Sequence, residues 1–183
     1  MKYFTPRYAI FIIRNLILKI KFWKRIRFKS IKVAFEPSCK VFINGDESSI
    51  TFGAVNYFYR CGNLEVFDGG SIVFGDNVSV NKGFSIVCRE QINIGNNVIM
   101  GPNVCIYDHN HFFELNELPF NKQGFKSKSI TIGDNVWIGA NSFIGSGVTI
   151  GSDTVIAAGS IVIKDISSKS LAGGNPAKII KSL

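Results

Sequence analysis

The sequence is poor in residues that hold metals or form cross-links. Its 183 residues include two histidines, His109 and His111, and four cysteines, Cys39, Cys61, Cys88 and Cys105. No two cysteines stand in a C-x-x-C spacing, so neither a zinc site nor a redox pair is indicated. An even number of cysteines would permit disulfides. No cleavable export signal is evident, however: Arg14 interrupts the apolar N-terminal run and no A-x-A site follows. Reduced thiols in the cytoplasm are the expectation. No stretch reaches the ~18–20 uncharged apolar residues that cross a bilayer. Acidic residues are scarce at one end. Residues 1–40 hold eleven Lys and Arg against one acid, Glu36, out of 21 basic and 13 acidic residues in the whole chain. Residues 41–183 therefore hold 10 basic and 12 acidic residues, a net of −2. The formal charge of +8 belongs to the N-terminal segment, and the pI of about 9.4 is no argument for nucleic-acid binding by the main body.

Hydrophobic residues make up 46% of the chain, enough for one folded domain. Their order carries the signal. From Ile130 the chain reads ITIGDN, VWIGAN, SFIGSG, VTIGSD, TVIAAG, SIVIKD. The third position of each block is Ile132, Ile138, Ile144, Ile150, Ile156 and Val162, usually followed by Gly or Ala. A period of six is neither the 3.6 of an amphipathic helix nor the 2 of an alternating strand. It fits a short strand and a tight corner, with three such units per triangular coil of about 18 residues. Stacked coils then bring the aliphatics into one prism core. The small residue beside each aliphatic sits where a Cβ would crowd the turn. The same phase appears earlier, at Phe74-Gly75, Val80 and Ile86 and at Ile94-Gly95, Met100-Gly101 and Ile106. The step of eight from Ile86 to Ile94 implies a corner with two extra residues. Residues 41–70 read as early, distorted coils. The expectation is an all-β parallel β-helix over residues 31–183.

The repeat breaks at Tyr107. Residues 108–129, DHNHFFELNELPFNKQGFKSKS, contain no hexapeptide and carry both histidines. A long loop leaving a rigid solenoid is a common seat of function. Phe112, Phe113, Glu114, Phe120 and Phe125 would suit a lid. A neutral imidazole on such a loop can serve as a general base near pH 7.

At these blocks, over roughly residues 40–183, the chain resembles the hexapeptide-repeat acyltransferases. The resemblance implies a left-handed helix, an exception to the usual crossover rule, and a homotrimer as the active unit. The stretch GPNVCIYDHNH is similar to the segment of galactoside, maltose and related acetyltransferases that ends in the catalytic histidine. Aligned without gaps, that base falls on His111, with His109 as a neighbour that orients the loop or touches the acceptor. The family's acceptor-binding asparagine falls on Asn81 in VSVNKG. A corner asparagine that satisfies the backbone is an equal reading of that residue. Eight positions on, where the family holds a sugar with an acid, this chain has Arg89. That departure argues against a galactoside- or maltose-like acceptor, and the guanidinium fork would suit a phosphate or carboxylate.

For the donor, acetyl-CoA, the resemblance implies a pantetheine arm along Gly139 and Ala140 in VWIGAN and Ala158 in IAAGS, with Trp137 near it. Lys164 in VIKD matches a position beside the nucleotide. The tail SLAGGNPAKIIKSL, within residues 170–183, is similar to the family's C-terminal signature. Its Lys178 and Lys181 match residues that approach the CoA phosphates.

Residues 1–30 form a separate basic segment. Ile10, Ile13, Ile17, Ile20 and Trp23 recur at helical spacing, and Arg7, Arg14 and Lys21 form another stripe. Two arrangements fit residues 7–28: a helix in the plane of a membrane surface, or a helix packed on its own trimer. The expected protein is an acetyl-CoA-dependent O-acetyltransferase acting on a sugar or a polysaccharide or glycolipid precursor by general-base catalysis. It would be cytoplasmic or peripheral at the inner membrane face, without metal or nucleic acid. The rival readings are N-acetylation of an amino-sugar nucleotide, a non-catalytic solenoid scaffold, and the γ-class carbonic anhydrases on the same fold. The last bind zinc through three histidines, and this chain has two.

Overall fold

Three flat faces and three edges make the molecule a prism. A computed structural model describes residues 6–114 and 117–183, with side chains from residue 9 except for the two omitted positions. The first member of the basic stripe, Arg7, lies outside the described side chains, as do residues 115 and 116 of the expected active-site loop. Among the described residues the strands form three large sheets of six, eight and six strands and one separate two-stranded hairpin, and from Ile26 to Val162 successive strands of the large sheets fall on successive faces. Within each face the neighbours are parallel, apart from a final antiparallel hairpin of Ser170–Gly174 with Ala177–Ser182. This is a left-handed parallel β-helix.

The coils are not of one size. On the first face Ile26 lies beside Ile50, a step of 24; Ile50 beside Ile72, a step of 22; and Ile72 beside Ile92, a step of 20. Thr131 lies beside Thr149, a step of 18, and on the second face Val155 lies beside Leu171, a step of 16. Residues 41–70 are thus wide coils in regular register rather than distorted ones. The wide coils use four-residue strands such as Ser49–Phe52 and Ser71–Phe74, in which two side chains point inward. The narrow coils use two-residue strands such as Trp137–Ile138, with one. The step of eight from Ile86 to Ile94 has the same origin: Ser85–Cys88 and Gln91–Ile94 are both long strands, so the extra residues lengthen the strands and not the corner.

A wider perimeter needs larger side chains to fill it. Phe35, Phe52, Phe58, Phe74 and Phe84 are fully buried there, stacked along the axis: Phe52 on Phe74 at 5.3 Å and Phe35 on Phe58 at 4.8 Å, both nearly coplanar. In the narrow half Ile132, Ile138, Ile144, Ile150, Ile156 and Val162 fill the core. At the edge between the first and second faces, Gly53, Gly75 and Gly95 lie above one another. A Cβ on Gly75 would stand 2.6 Å from the Gly95 backbone. Two residues beyond Gly75, Gly95, Gly133 and Gly151, the residues Asn77, Asn97, Asn135 and Asp153 take the left-handed conformation, which Asn and Asp tolerate best after glycine. Their side chains bond from coil to coil, Asn77 Nδ2 to Asn97 Oδ1 at 2.9 Å and Asn135 Nδ2 to Asp153 Oδ1 at 2.8 Å.

Helix α1, Pro6–Lys21, lies over the wide end, and the strand Ile26–Phe28 is already the first rung of the prism. The helix is therefore shorter than residues 7–28, and the β-helix begins before residue 31.

Candidate active site

The third face leads to the histidines. Along its strands the inward slot nearest the next edge holds Ile43, then Val66, then Cys88. Tyr107 lies beside Val87, so the same slot on the next coil falls to Asp108. A carboxylate fully removed from solvent replaces an apolar residue. Its oxygens accept hydrogen bonds from the Arg89 N–H at 2.9 Å, the Glu90 N–H at 2.8 Å and the Cys88 thiol at 3.2 Å. Burial disfavours its charge, but the bonds from His109, Glu90, Arg89 and Cys88 outweigh burial and hold its pKa below the ordinary carboxylate value. The Cys88 thiol is pushed well above its usual value, by burial first and then by the Asp108 charge.

At Asp108 the chain leaves the prism. Ile92 on the first face neighbours Ile130, a step of 38, which is the regular step of 18 plus an insertion of 20. The insertion is a hairpin of His109–His111 against Phe125–Ser127, with His109 opposite Ser127 and His111 opposite Phe125. Its neck is tied, because the Lys128 N–H and the Ser146 hydroxyl both donate to the Asp108 carbonyl, each at 2.8 Å. Coil stacking thus resumes as if the insertion were absent. Gln123 braces the loop interior by donating to the carbonyls of Glu114 and Leu118.

The two histidines differ. His109 is 14% exposed, and its Nδ1 lies 3.1 Å from Asp108 Oδ1. The carboxylate favours a proton on that nitrogen and fixes the orientation of the ring. The ring is held between Tyr107 and Phe125. His111 is exposed and packs on Phe125 at 4.3 Å. With Asn110, Phe112 and Phe113 it lines two openings. One of about 300 Å³ is shared with Glu114, Lys126, Lys128 and Ser146; the other, of about 420 Å³, with Phe112, Phe113, Phe120 and Asn121. The lid aromatics Phe113, at 76% exposure, and Phe120, at 54%, stand open.

Arg89 has partners other than an acceptor. Its guanidinium pairs with Asp68 and is sandwiched between the rings of Phe67 at 5.1 Å and Phe125 at 3.5 Å. Through Phe125 these contacts link the Arg89 side chain and the hairpin to the coil beneath.

The other expected residues lie elsewhere on the prism. Asn81 sits at the edge between the second and third faces, where its Oδ1 accepts the Lys82 N–H at 2.8 Å. It lines a cleft of about 680 Å³ with Tyr59, Arg60 and Lys82, and that cleft does not include His111. Ala140 and Ala158 share this edge on higher coils, stitched by the bond from the Gly159 N–H to the Ala140 carbonyl. A Cβ on Gly139 would stand 2.4 Å from the Ala158 nitrogen, so close coil packing alone requires that glycine. Trp137 is half exposed on the outer second face, beside Ile99 and Val155. Lys164 lies at the edge of the histidines, and Lys178 and Lys181 on the terminal hairpin. All three are exposed, and none has an ion-pair partner among the described residues.

Residues 129–164 match the model of the bacterial transferase hexapeptide family, six repeats. The Escherichia coli K12 protein named "Putative lipopolysaccharide biosynthesis O-acetyl transferase WbbJ" is 32% identical over 144 residues, which cover 74% of this chain and 73% of that protein. The chain belongs to the hexapeptide-repeat acetyltransferases. The galactoside O-acetyltransferase of Escherichia coli K12 is 42% identical over 115 residues, 63% of this chain and 56% of that enzyme. This hexapeptide-repeat acetyltransferase chain thus spans little more than half the length of some curated relatives it matches. Among solved structures, the hexapeptide-repeat containing acetyltransferase VCA0836 of Vibrio cholerae superposes with a TM-score of 0.62 at 27% identity, over 97% of this chain and 87% of that one. A second structure of VCA0836 is a complex with acetyl coenzyme A.

Sequence reasoning passed over Asp108. The signal was available: the inward-outward alternation of Cys105, Ile106 and Tyr107 makes residue 108 an inward position.

Proposed function

We propose that the protein transfers an acetyl group from acetyl-CoA to a hydroxyl of a sugar or of a polysaccharide or glycolipid precursor, with His111 as general base. The observation that carries this reading is the tied hairpin. It holds an open imidazole that lines two clefts, while the neighbouring imidazole is fixed by a buried carboxylate. In the reaction His111 takes the acceptor's hydroxyl proton as its oxygen attacks the thioester carbonyl. The C–S bond then breaks, and the CoA sulfur leaves with the proton that His111 returns. Asn81 and backbone N–H groups would stabilise the tetrahedral oxyanion. His109, oriented by Asp108, would position the loop and border the acceptor, with Arg89 as a brace.

Gly139, Ala140, Ala158 and Trp137 would border the pantetheine arm, and Lys164, Lys178 and Lys181 the phosphates. Asn81, Ala140 and Ala158 lie on one edge of the prism, and the histidines and Lys164 on another. A homotrimer that sets one subunit's edge against its neighbour's other edge would unite them. Its resemblance to O-acetyltransferases supports the choice of a hydroxyl acceptor.

The test is acetyl-CoA binding by calorimetry, followed by slow thioester hydrolysis, for wild type and His111→Ala. The expected result is similar binding in both and turnover reduced about 10²–10⁴-fold in the variant. Absence of binding in both would overturn the proposal.

A further inference from the structure

Helix α1 has two apolar faces, and the prism uses only one. Phe11, Leu18 and Phe22 are buried against the wide end, with Phe11 edge-on to Tyr57. Arg14 donates to the carbonyls of Glu36 and Cys39, and Asn15 donates to the Val33 carbonyl at 2.7 Å. These bonds fix the helix's rotation, and they draw Arg14 out of the expected solvated basic stripe. The opposite face carries Ile10, Ile13, Leu16, Ile17 and Ile20, and Trp23 follows just past the helix end; each is between 53% and 75% exposed. Ile31, just beyond the first rung, is 72% exposed. A continuous row of this size on a chain end far richer in charge than the rest marks a contact surface.

We propose that this face docks on an anionic phospholipid bilayer, with α1 lying in the plane of the headgroups. Charge selects the occupant. Residues 1–35 contain no acidic residue and ten Lys and Arg. Lys19, Lys21, Lys24 and Arg27 are exposed around the apolar row. A second copy of the same face would bring two such clusters together, whereas anionic headgroups attract each cation by about 1 kcal/mol. Length sets the orientation. Among the described residues the helix has 16. A helix of that length extends about 24 Å. The hydrocarbon core it would have to cross is roughly 30 Å thick. No described helix is long and apolar enough to cross a membrane. Trp23, just past the end of the helix, has the amphipathic ring favoured at the depth of the headgroups.

The test is flotation of the full chain with phosphatidylglycerol-containing vesicles and with pure phosphatidylcholine vesicles. The expected result is co-flotation with the former only, weakened by high salt. The triple variant Ile13→Ser, Ile17→Ser, Ile20→Ser should bind at least about tenfold more weakly. Its melting temperature and oligomer size should be unchanged, because those side chains face away from the prism. Lys19→Glu with Lys24→Glu should also weaken binding. Failure to float, or flotation equal for wild type and variants, overturns the proposal. So does a triple variant with altered oligomer size, which would give the face to a second copy of the chain.

Discussion

Asp108 joins stability and chemistry in one side chain. It holds the Arg89 and Glu90 N–H groups and the His109 ring, and its carbonyl ties the neck of the insertion. Its replacement by the isosteric amide turns an NH₂ group toward donors. Asp108→Asn should lose about 2–4 kcal/mol in urea unfolding at neutral pH. The folded pKa lies below the unfolded value, so the carboxylate's contribution is complete above that unfolded value and fades as pH falls through the folded one. The gap between wild type and Asp108→Asn should therefore hold above about pH 4 and close on further acidification. A gap independent of pH would mean that the charge is not what matters. Individual residues were also the least legible level of the sequence. His109 and His111 stand out in any reading, being the chain's only imidazoles. Their division into one held ring and one open ring depends on a carboxylate whose inward direction is set by strand alternation across a broken repeat. The partners of Arg89, Asp68 and two phenylalanines, were not legible because they come from a lower coil and from the far strand of the hairpin.

Among the elements, the corners were legible from the period of six because each small residue recurs beside a core aliphatic. The wide coils were not, since longer strands with two inward side chains spoil that period while keeping the fold. The corners also separate two uses of glycine. At Gly53 an added Cβ would stand 2.1 Å from the Gly75 carbonyl oxygen, whereas at Gly159, with φ +74°, nothing lies within 4 Å. Gly53→Ala should destabilise by about 2–3 kcal/mol, through overpacking between coils. Gly159→Ala should cost about 1 kcal/mol, from backbone conformation alone. Paired denaturant titrations check both. Comparable losses would remove close coil stacking as the reason for the glycine column. The helix shows a different limit of sequence reading. Its exposed row was evident from spacing, but not which face the prism would take, because residues 11, 18 and 22 form an equally good apolar stripe.

For the whole molecule, the proposal predicts a site made by two chains. Asn81 and His111 line separate clefts on different edges. If each site takes the asparagine from one subunit and the histidine from its neighbour, two inactive variants can repair each other. Asn81→Ala and His111→Ala, dissociated together and reassembled in equal amounts, should regain about a quarter of wild-type turnover, the share of interfaces with both intact residues. No recovery in verified mixed oligomers would put both residues in a site made by one chain. The graded shortening of the coils, from a step of 24 at the helix end to a step of 16 at the hairpin end, has its own consequence. In the narrow half, neighbouring coils share nearly one perimeter, and a duplicated coil would find matching rungs above and below. In the wide half a duplicate would fit one neighbour and overhang or fall short of the other. The chain can be lengthened by tandem copying near the hairpin, whereas next to the helix every rung has a single place it can occupy.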